Sequence, residues 1–147
     1  MRGDVVVHFE DVSPTDPRLV SDILPVLCDL RSHLTAETLK GIYAEGYPQG
    51  LRFTGAYIDD ICHGVAGWRI VATTFCIRKL TVDDLVVDAA ARSKGIGRAL
   101  LADLEQRARD ANCCALDLDS ATRRTDAHRF YVRERMSILA FHFVREF

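Results

Sequence analysis

Six residues, Arg92, Ser93, Lys94, Gly95, Ile96 and Gly97, carry the first chemistry legible in the chain. They form Arg-x-x-Gly-x-Gly between a β-branched apolar run, Leu80, Val82, Leu85, Val86 and Val87, and a stretch whose apolar residues recur at helical spacing. Two positions without a Cβ let the chain turn tightly and let a ligand approach the backbone. The first-turn N–H groups of the following helix have no intrahelical acceptor, and with the positive end of the helix dipole they make an anion site. A phosphate or pyrophosphate suits such a junction. The plain alternative is an ordinary strand-to-helix turn.

With the Val-Val-Asp ending of the strand and its spacing to Arg92, the segment resembles the acyl-coenzyme-A binding motif of the Gcn5-related N-acetyltransferases. The resemblance implies that Leu85, Val86 and Val87 hold the pantetheine arm through the backbone, and that Arg92 to Gly97, with Arg98 behind them, wrap the pyrophosphate. The run from Leu116 to Tyr131 is similar to the family's second block, a strand, a loop and a helix carrying Ala127, Phe130 and Tyr131. Two positions depart from the family pattern. Arg135-Met136 stands where Gly-Phe is usual, which puts the turn leaving that helix in question. Arg124 stands where an asparagine is frequent, so it is the residue available for that coenzyme contact.

Acetyl transfer from a thioester to an amine needs a neutral amine, a place for the oxyanion and a proton for the departing thiolate. The resemblance assigns the thioester carbonyl to the backbone at Val86 or Val87 and the sulfur to Tyr131. A phenol near pKa about 10 and a thiol near about 8.5 make full proton transfer uphill by roughly 2 kcal/mol, so a strong hydrogen bond to sulfur suffices. For the base, Asp83 and Asp84 are the best candidates, with Asp84 slightly favoured. Adjacent residues on a regular strand point to opposite faces, so at most one faces the acceptor unless a bulge intervenes. A carboxylate is matched to an ammonium proton only if its pKa is raised, and a water chain toward Asp84 or His63 is the alternative.

Length and composition bound the setting of these residues. At 147 residues the chain reads as one domain, long enough to bury a core. With 48% hydrophobic and 27% charged residues it reads as globular, not disordered. A net charge of -2 removes the electrostatic case for nucleic acid. The N-terminus has no signal-peptide pattern and no run approaches a membrane span. The five cysteines, Cys28, Cys62, Cys76, Cys113 and Cys114, lack Cys-x-x-Cys spacing, so neither a disulfide framework nor a metal site is expected, and a reduced cytoplasmic chain fits.

The elements that must position the chemistry follow from periodicity. Val5 to Phe9 reads as a first strand, and Leu19, Val20, Ile23, Leu24, Leu27 and Leu30 as a helix face that Pro25 kinks or divides. Thr35 caps a second helix that stops by Gly46; its surroundings, with His33, Glu37, Tyr43, Glu45 and Tyr47, correspond to the family's acceptor-covering region. Gly50 to Tyr57 and Ile61 to Ile70 form a hairpin turning at Asp59-Asp60, while Val71 to Lys79 is undecided between strand and loop. Ile96, Leu100, Leu104 and Ala108 mark a helix face, Cys113 to Asp119 a half-buried strand, Thr125 or Asp126 the cap of the last helix, and Ile138 to Phe147 a closing strand.

The expected fold is α/β of the α+β kind, the acyl-CoA N-acyltransferase fold, with a twisted, mainly antiparallel mixed sheet flanked by helices and splayed at its central strands. The expected activity is acetyl-CoA-dependent N-acetylation of a primary amine by direct attack in a ternary complex, the acceptor a small molecule. Acylation of a peptide or protein amine and a catalytically silent acyl-CoA sensor are the alternatives; a nucleotide-binding regulatory domain lacks a Walker lysine spacing or a complete Gly-x-Gly-x-x-Gly. Self-association as a homodimer is left open.

Overall fold

The computed structural model describes residues 5–147. Contacts divide the chain into two compact units, one through Asp117 and one from Leu118 to Phe147.

The first unit is built on strands β1 (His8–Val12), β2 (Arg52–Ile58), β3 (Ile61–Thr73) and β4 (Ile77–Val87), each antiparallel to the next, with β5 (Ala115–Leu118) following in the sheet order. The β2–β3 turn takes the left-handed backbone that a two-residue hairpin demands, with φ of 49° at Asp59 and 63° at Asp60. Asp tolerates that conformation better than most residues, which is why the Asp-Asp pair turns the chain. Val71 to Lys79, ambiguous in sequence, is strand on both sides of a turn, with Thr73 paired to Ile77.

The first strand lies further along than its valines suggest, at His8–Val12, because Phe9, Asp11 and Val12 find partners on β2. Pro25 does divide the first helix. Leu19–Ile23 is wound as a π-helix and passes into the short α1 (Leu24–Leu27), the change of winding falling beside the proline, which has no N–H to continue the ladder. Helix α2 (Ala36–Gly46) starts at Thr35, whose hydroxyl accepts from the Thr38 backbone N–H while the Thr38 hydroxyl accepts from that of Thr35.

Helices cover the sheet on both faces. Leu19, Ile23, Val26, Leu27 and Leu39 pack with Phe53, Val65 and Val86 in one buried cluster. Tyr43 is part of it, donating from its hydroxyl to the Val12 carbonyl at 2.6 Å. The neighbouring position on β3, Gly64, faces the other way toward α3 (Ile96–Asp110), and a Cβ there would lie 2.9 Å from both Ile96 and Leu100. That close approach sets α3, through Ile96, Leu100, Leu101, Leu104 and Ala108, onto the sheet.

A bond between Cys76, in the β3–β4 turn, and Cys114, just before β5, corrects the expectation of five reduced cysteines. The pairing brings together residues 38 apart in sequence, which spacing alone does not reveal.

In the second unit, α4 (Thr125–Arg133) follows the end of β5. Arg124, not Thr125 or Asp126, occupies the N-cap position and supplies no side-chain cap; His128 instead ties the helix to the preceding loop through the Ala121 carbonyl at 2.8 Å. Residues 137–147 form no strand, a second correction, and Ile138, Leu139, Phe141, Phe143, Val144 and Phe147 are exposed. No described helix is long and apolar enough to cross a membrane.

Candidate active site

The decisive local feature is an irregularity in β4. Val82 pairs with Trp68 and Asp84 pairs with Gly67, so Asp83 is an extra residue opposite no partner. Such a bulge breaks the alternation and lets neighbouring side chains leave the strand in unrelated directions. Asp83 accepts from Arg69 Nε at 2.9 Å on an exposed part of the sheet. Asp84 turns into a cavity of about 270 Å³ and accepts from Arg31 Nε at 3.0 Å. Gly67 helps to admit it, since a Cβ there would stand 2.9 Å from the Phe53 ring and 3.2 Å from Asp84 Oδ2.

The cavity is apolar over most of its wall, with Leu27, Leu34, Leu39, Ile42 and Phe53 lining it. Its polar groups are Asp84, Arg31 and His33. Burial raises the Asp84 pKa above the usual carboxylate range, an effect that the Arg31 cation opposes and the Asp83 charge reinforces. Asp84 is thus the acidic candidate that faces the cavity, and of the residues expected in the acceptor-covering region, His33, Glu37, Tyr43, Glu45 and Tyr47, His33 lines it and the other four do not. Tyr43 belongs to the core, Glu37 and Glu45 are exposed, and Tyr47 lies under the Arg52 guanidinium. Arg31 was missed because nothing in its own stretch marks it; its partner lies 53 residues away. His63 Nδ1–H donates to Asp88 Oδ2 at 2.9 Å, and Asp88 also caps the turn at Ala89–Ala91 by accepting from the Ala91 N–H. His63 is not among the residues that line the Asp84 cavity.

Leu85, Val86 and Val87 continue β4 beyond Asp84, paired with Ala66, Val65 and Gly64. Val86 and Val87 stand two and three residues from Asp84, about 7 to 10 Å along a strand. The loop then turns with φ of 71° at Ser93 and 78° at Gly95, leaving Arg92, Ser93, Lys94 and Arg98 exposed around the start of α3. Ile96 is buried and anchors the helix, and Gly97 lies in its first turn. The N-cap of α3 is Gly95, which carries no side chain to bond the first-turn N–H groups. Those donors and the surrounding cations have the chemistry to receive a pyrophosphate.

In the second unit Tyr131 is half-buried on α4, its ring edge-on to Phe130 with centroids 5.3 Å apart. Burial raises its pKa while the Arg124 cation works the other way. The hydroxyl therefore stays protonated, a hydrogen-bond donor, throughout the neutral range. After α4, Met136 N–H bonds the Tyr131 carbonyl and Arg135 N–H the Val132 carbonyl, both at 3.0 Å, with Arg135 at φ of 65°. This is the paired-bond helix ending that a left-handed residue completes. Arg135-Met136 thus closes the helix with this ending although no glycine stands there.

The sequence profile of the Acetyltransferase (GNAT) family matches residues 24–135. An uncharacterized N-acetyltransferase of Bacillus subtilis (strain 168), YhdJ, is 32% identical over 86% of this chain and 88% of its own length. An aminoalkylphosphonate N-acetyltransferase of Salmonella typhimurium is 29% identical over 84% of this chain and 94% of its own. Among solved structures, the aminoglycoside N-acetyltransferase AAC(6')-Iy in complex with CoA superposes with a TM-score of 0.82 over 99% of this chain and 98% of that one, at 13% identity, which speaks for the fold. The chain belongs to the Acetyltransferase (GNAT) family, and with it to the acetyl-CoA-dependent N-acetyltransferases.

Proposed function

We propose that the protein acetylates the primary amine of a small molecule held in the cavity under Asp84. The observation that carries this reading is the β4 bulge, which turns one carboxylate of raised pKa into a mostly apolar pocket, open on one side, two to three residues from Val86 and Val87. A cavity of about 270 Å³ suits a small acceptor better than a protein side chain with its attached backbone. The Salmonella relative, by its name, acts on a small aminoalkylphosphonate, which supports the same size class.

Acetyl-CoA supplies the activated acetyl thioester. Leu85, Val86 and Val87 hold its arm by backbone hydrogen bonds, and Arg92, Ser93, Lys94, Gly95, Ile96, Gly97 and Arg98 receive its pyrophosphate; Arg124 takes the coenzyme contact that the family resemblance implies at its position. The amine reaches the site mostly as an ammonium ion, and Asp84 attracts it. Its raised pKa makes Asp84 a stronger proton acceptor than an ordinary carboxylate, directly or through a water. A Val86 or Val87 N–H meets the oxygen charge that develops as the amine nitrogen attacks the carbonyl carbon. The carbon–sulfur bond then breaks, and Tyr131 donates a hydrogen bond to the leaving thiolate. Because burial has raised the phenol further above a thiol, complete transfer of the proton is less favourable than the hydrogen bond. Asp83, held outward by Arg69, takes no direct part. The exposed apolar residues of 138–147 support a homodimer as the working state.

The test is thiol release from acetyl-CoA with a panel of amines, in parent and Tyr131→Phe. The variant keeps the ring, so acetyl-CoA affinity is expected to stay level while kcat falls by roughly a hundredfold. Equal turnover of the two proteins removes the role of Tyr131; consumption of no amine by the parent removes the proposed activity.

A further inference from the structure

Arg31 follows the short helix α1 at the mouth of the cavity, with 48% of its side chain exposed. Its guanidinium commits only Nε, to Asp84 Oδ1 at 3.0 Å. A guanidinium has five N–H donors in a planar fork, so the four on its two terminal nitrogens remain without a protein partner among the described residues. His33, beside it in the lining, is exposed and likewise makes no hydrogen bond among the described residues. The polar end of an otherwise apolar cavity thus presents a negative group and a positive group in contact.

That pairing constrains the acceptor. A simple ammonium ion approaching Asp84 meets the Arg31 charge at nearly the same range, and in a partly desolvated site repulsion of this kind offsets much of the attraction. A molecule carrying an anion as well as an amine reverses the balance, because its ammonium lies on Asp84 and its anion on the unused fork of Arg31. Carboxylates, phosphonates and phosphates all fit that fork through two parallel N–H bonds, which a lysine cannot offer. The space admits on the order of nine water-sized heavy atoms at about 30 Å³ each, enough for an amine and an anion separated by a short chain.

We propose that the acceptor is zwitterionic, a small primary amine bearing a carboxylate, phosphonate or phosphate group, and that Arg31 selects it by binding the anion while Asp84 takes the amine. The inference rests on the acetyltransferase reading of the same cavity and adds the charge class of the substrate.

The experiment compares kcat/KM for 3-aminopropionate, 2-aminoethylphosphonate, propylamine and ethylenediamine with parent, Arg31→Met and Arg31→Lys. The parent is expected to prefer at least one anionic amine to propylamine by tenfold or more. The ratio of the two anionic compounds tells which anion is read. In Arg31→Met the preference should collapse toward unity, mainly through KM for the anionic amine, and Arg31→Lys should restore part of it. Using a ratio within each protein cancels any general loss of activity. Propylamine or ethylenediamine used as well as the anionic amines by the parent overturns the proposal while leaving the acetyltransferase standing. A preference that survives in Arg31→Met overturns the assignment to Arg31. Failure of the parent to consume any amine, although it binds acetyl-CoA, overturns both.

Discussion

Asp84 shows at the scale of one residue how a site is made at the expense of stability. A carboxyl pKa raised by burial means that the folded chain holds the proton more tightly than the unfolded chain does. The ionised form therefore costs stability at every pH above the unfolded carboxylate range near about 3.9, and the cost vanishes below it. Function needs the ionised form, so the acid side of kcat/KM should fall as pH drops through a pKa higher than that of an ordinary aspartate. Asp84→Asn separates the two effects. It should lower kcat/KM for amine acceptors by roughly tenfold or more and abolish that acid limb, while the melting temperature at neutral pH stays level or rises. Arg31 loses a partner, but its half-exposed head can be solvated instead. Asp83→Asn is the control, since its carboxylate sits with Arg69 on the outside of the bulge. Parental pH profiles in Asp84→Asn would sink the acceptor role, and a melting temperature several degrees lower would sink the stability argument.

At the scale of the element, the end of α4 tests how much of a family pattern is side chain and how much is backbone. Arg135 adopts φ of 65° where the common glycine would do so freely, yet both bonds that close the helix are made. A left-handed conformation costs a non-glycine residue roughly 1 to 2 kcal/mol, partly repaid by the smaller entropy of its unfolded chain. Arg135→Gly is therefore expected to stabilise the protein by about 1 kcal/mol in urea unfolding; destabilisation would show that the arginine side chain itself supports the turn. The same contrast separates what the sequence reveals from what it hides. Helices α2 and α3, the Asp59-Asp60 hairpin and the glycine loop announce themselves because periodicity, caps and turn residues are local. The bulge was foreseeable only as a condition on Asp83 and Asp84, since register depends on the partner strand. Arg31, Cys76 with Cys114, and the unbonded cap at Arg124 depend on contacts between distant segments, which no local pattern records.

At the scale of the whole molecule, one run of large apolar residues belongs to no strand or helix. Ile138, Leu139, Phe141, Phe143, Val144 and Phe147 are between 67% and 116% exposed within a run of ten residues. The alternation of Leu139, Phe141 and Phe143 is what a strand packed on one side requires, but alternation states a readiness to pair and does not name the partner, so the expected closing strand is not formed. Side chains of this size remove on the order of 800 Å² from water when buried, the share one protomer contributes to a standard interface. An isolated chain gains nothing by presenting them, and a segment of alternating apolar residues outside any strand or helix can pair with another copy. The expected state is a dimer at micromolar concentration, with slow amide exchange across 138–147. Introducing charge with Phe141→Asp and Phe143→Asp should shift sedimentation to the monomer while circular dichroism of the remainder is preserved. A parent chain that sediments as a monomer at every concentration, with those amides protected nonetheless, would mean that the segment pairs within its own chain, and the dimer would have to be given up.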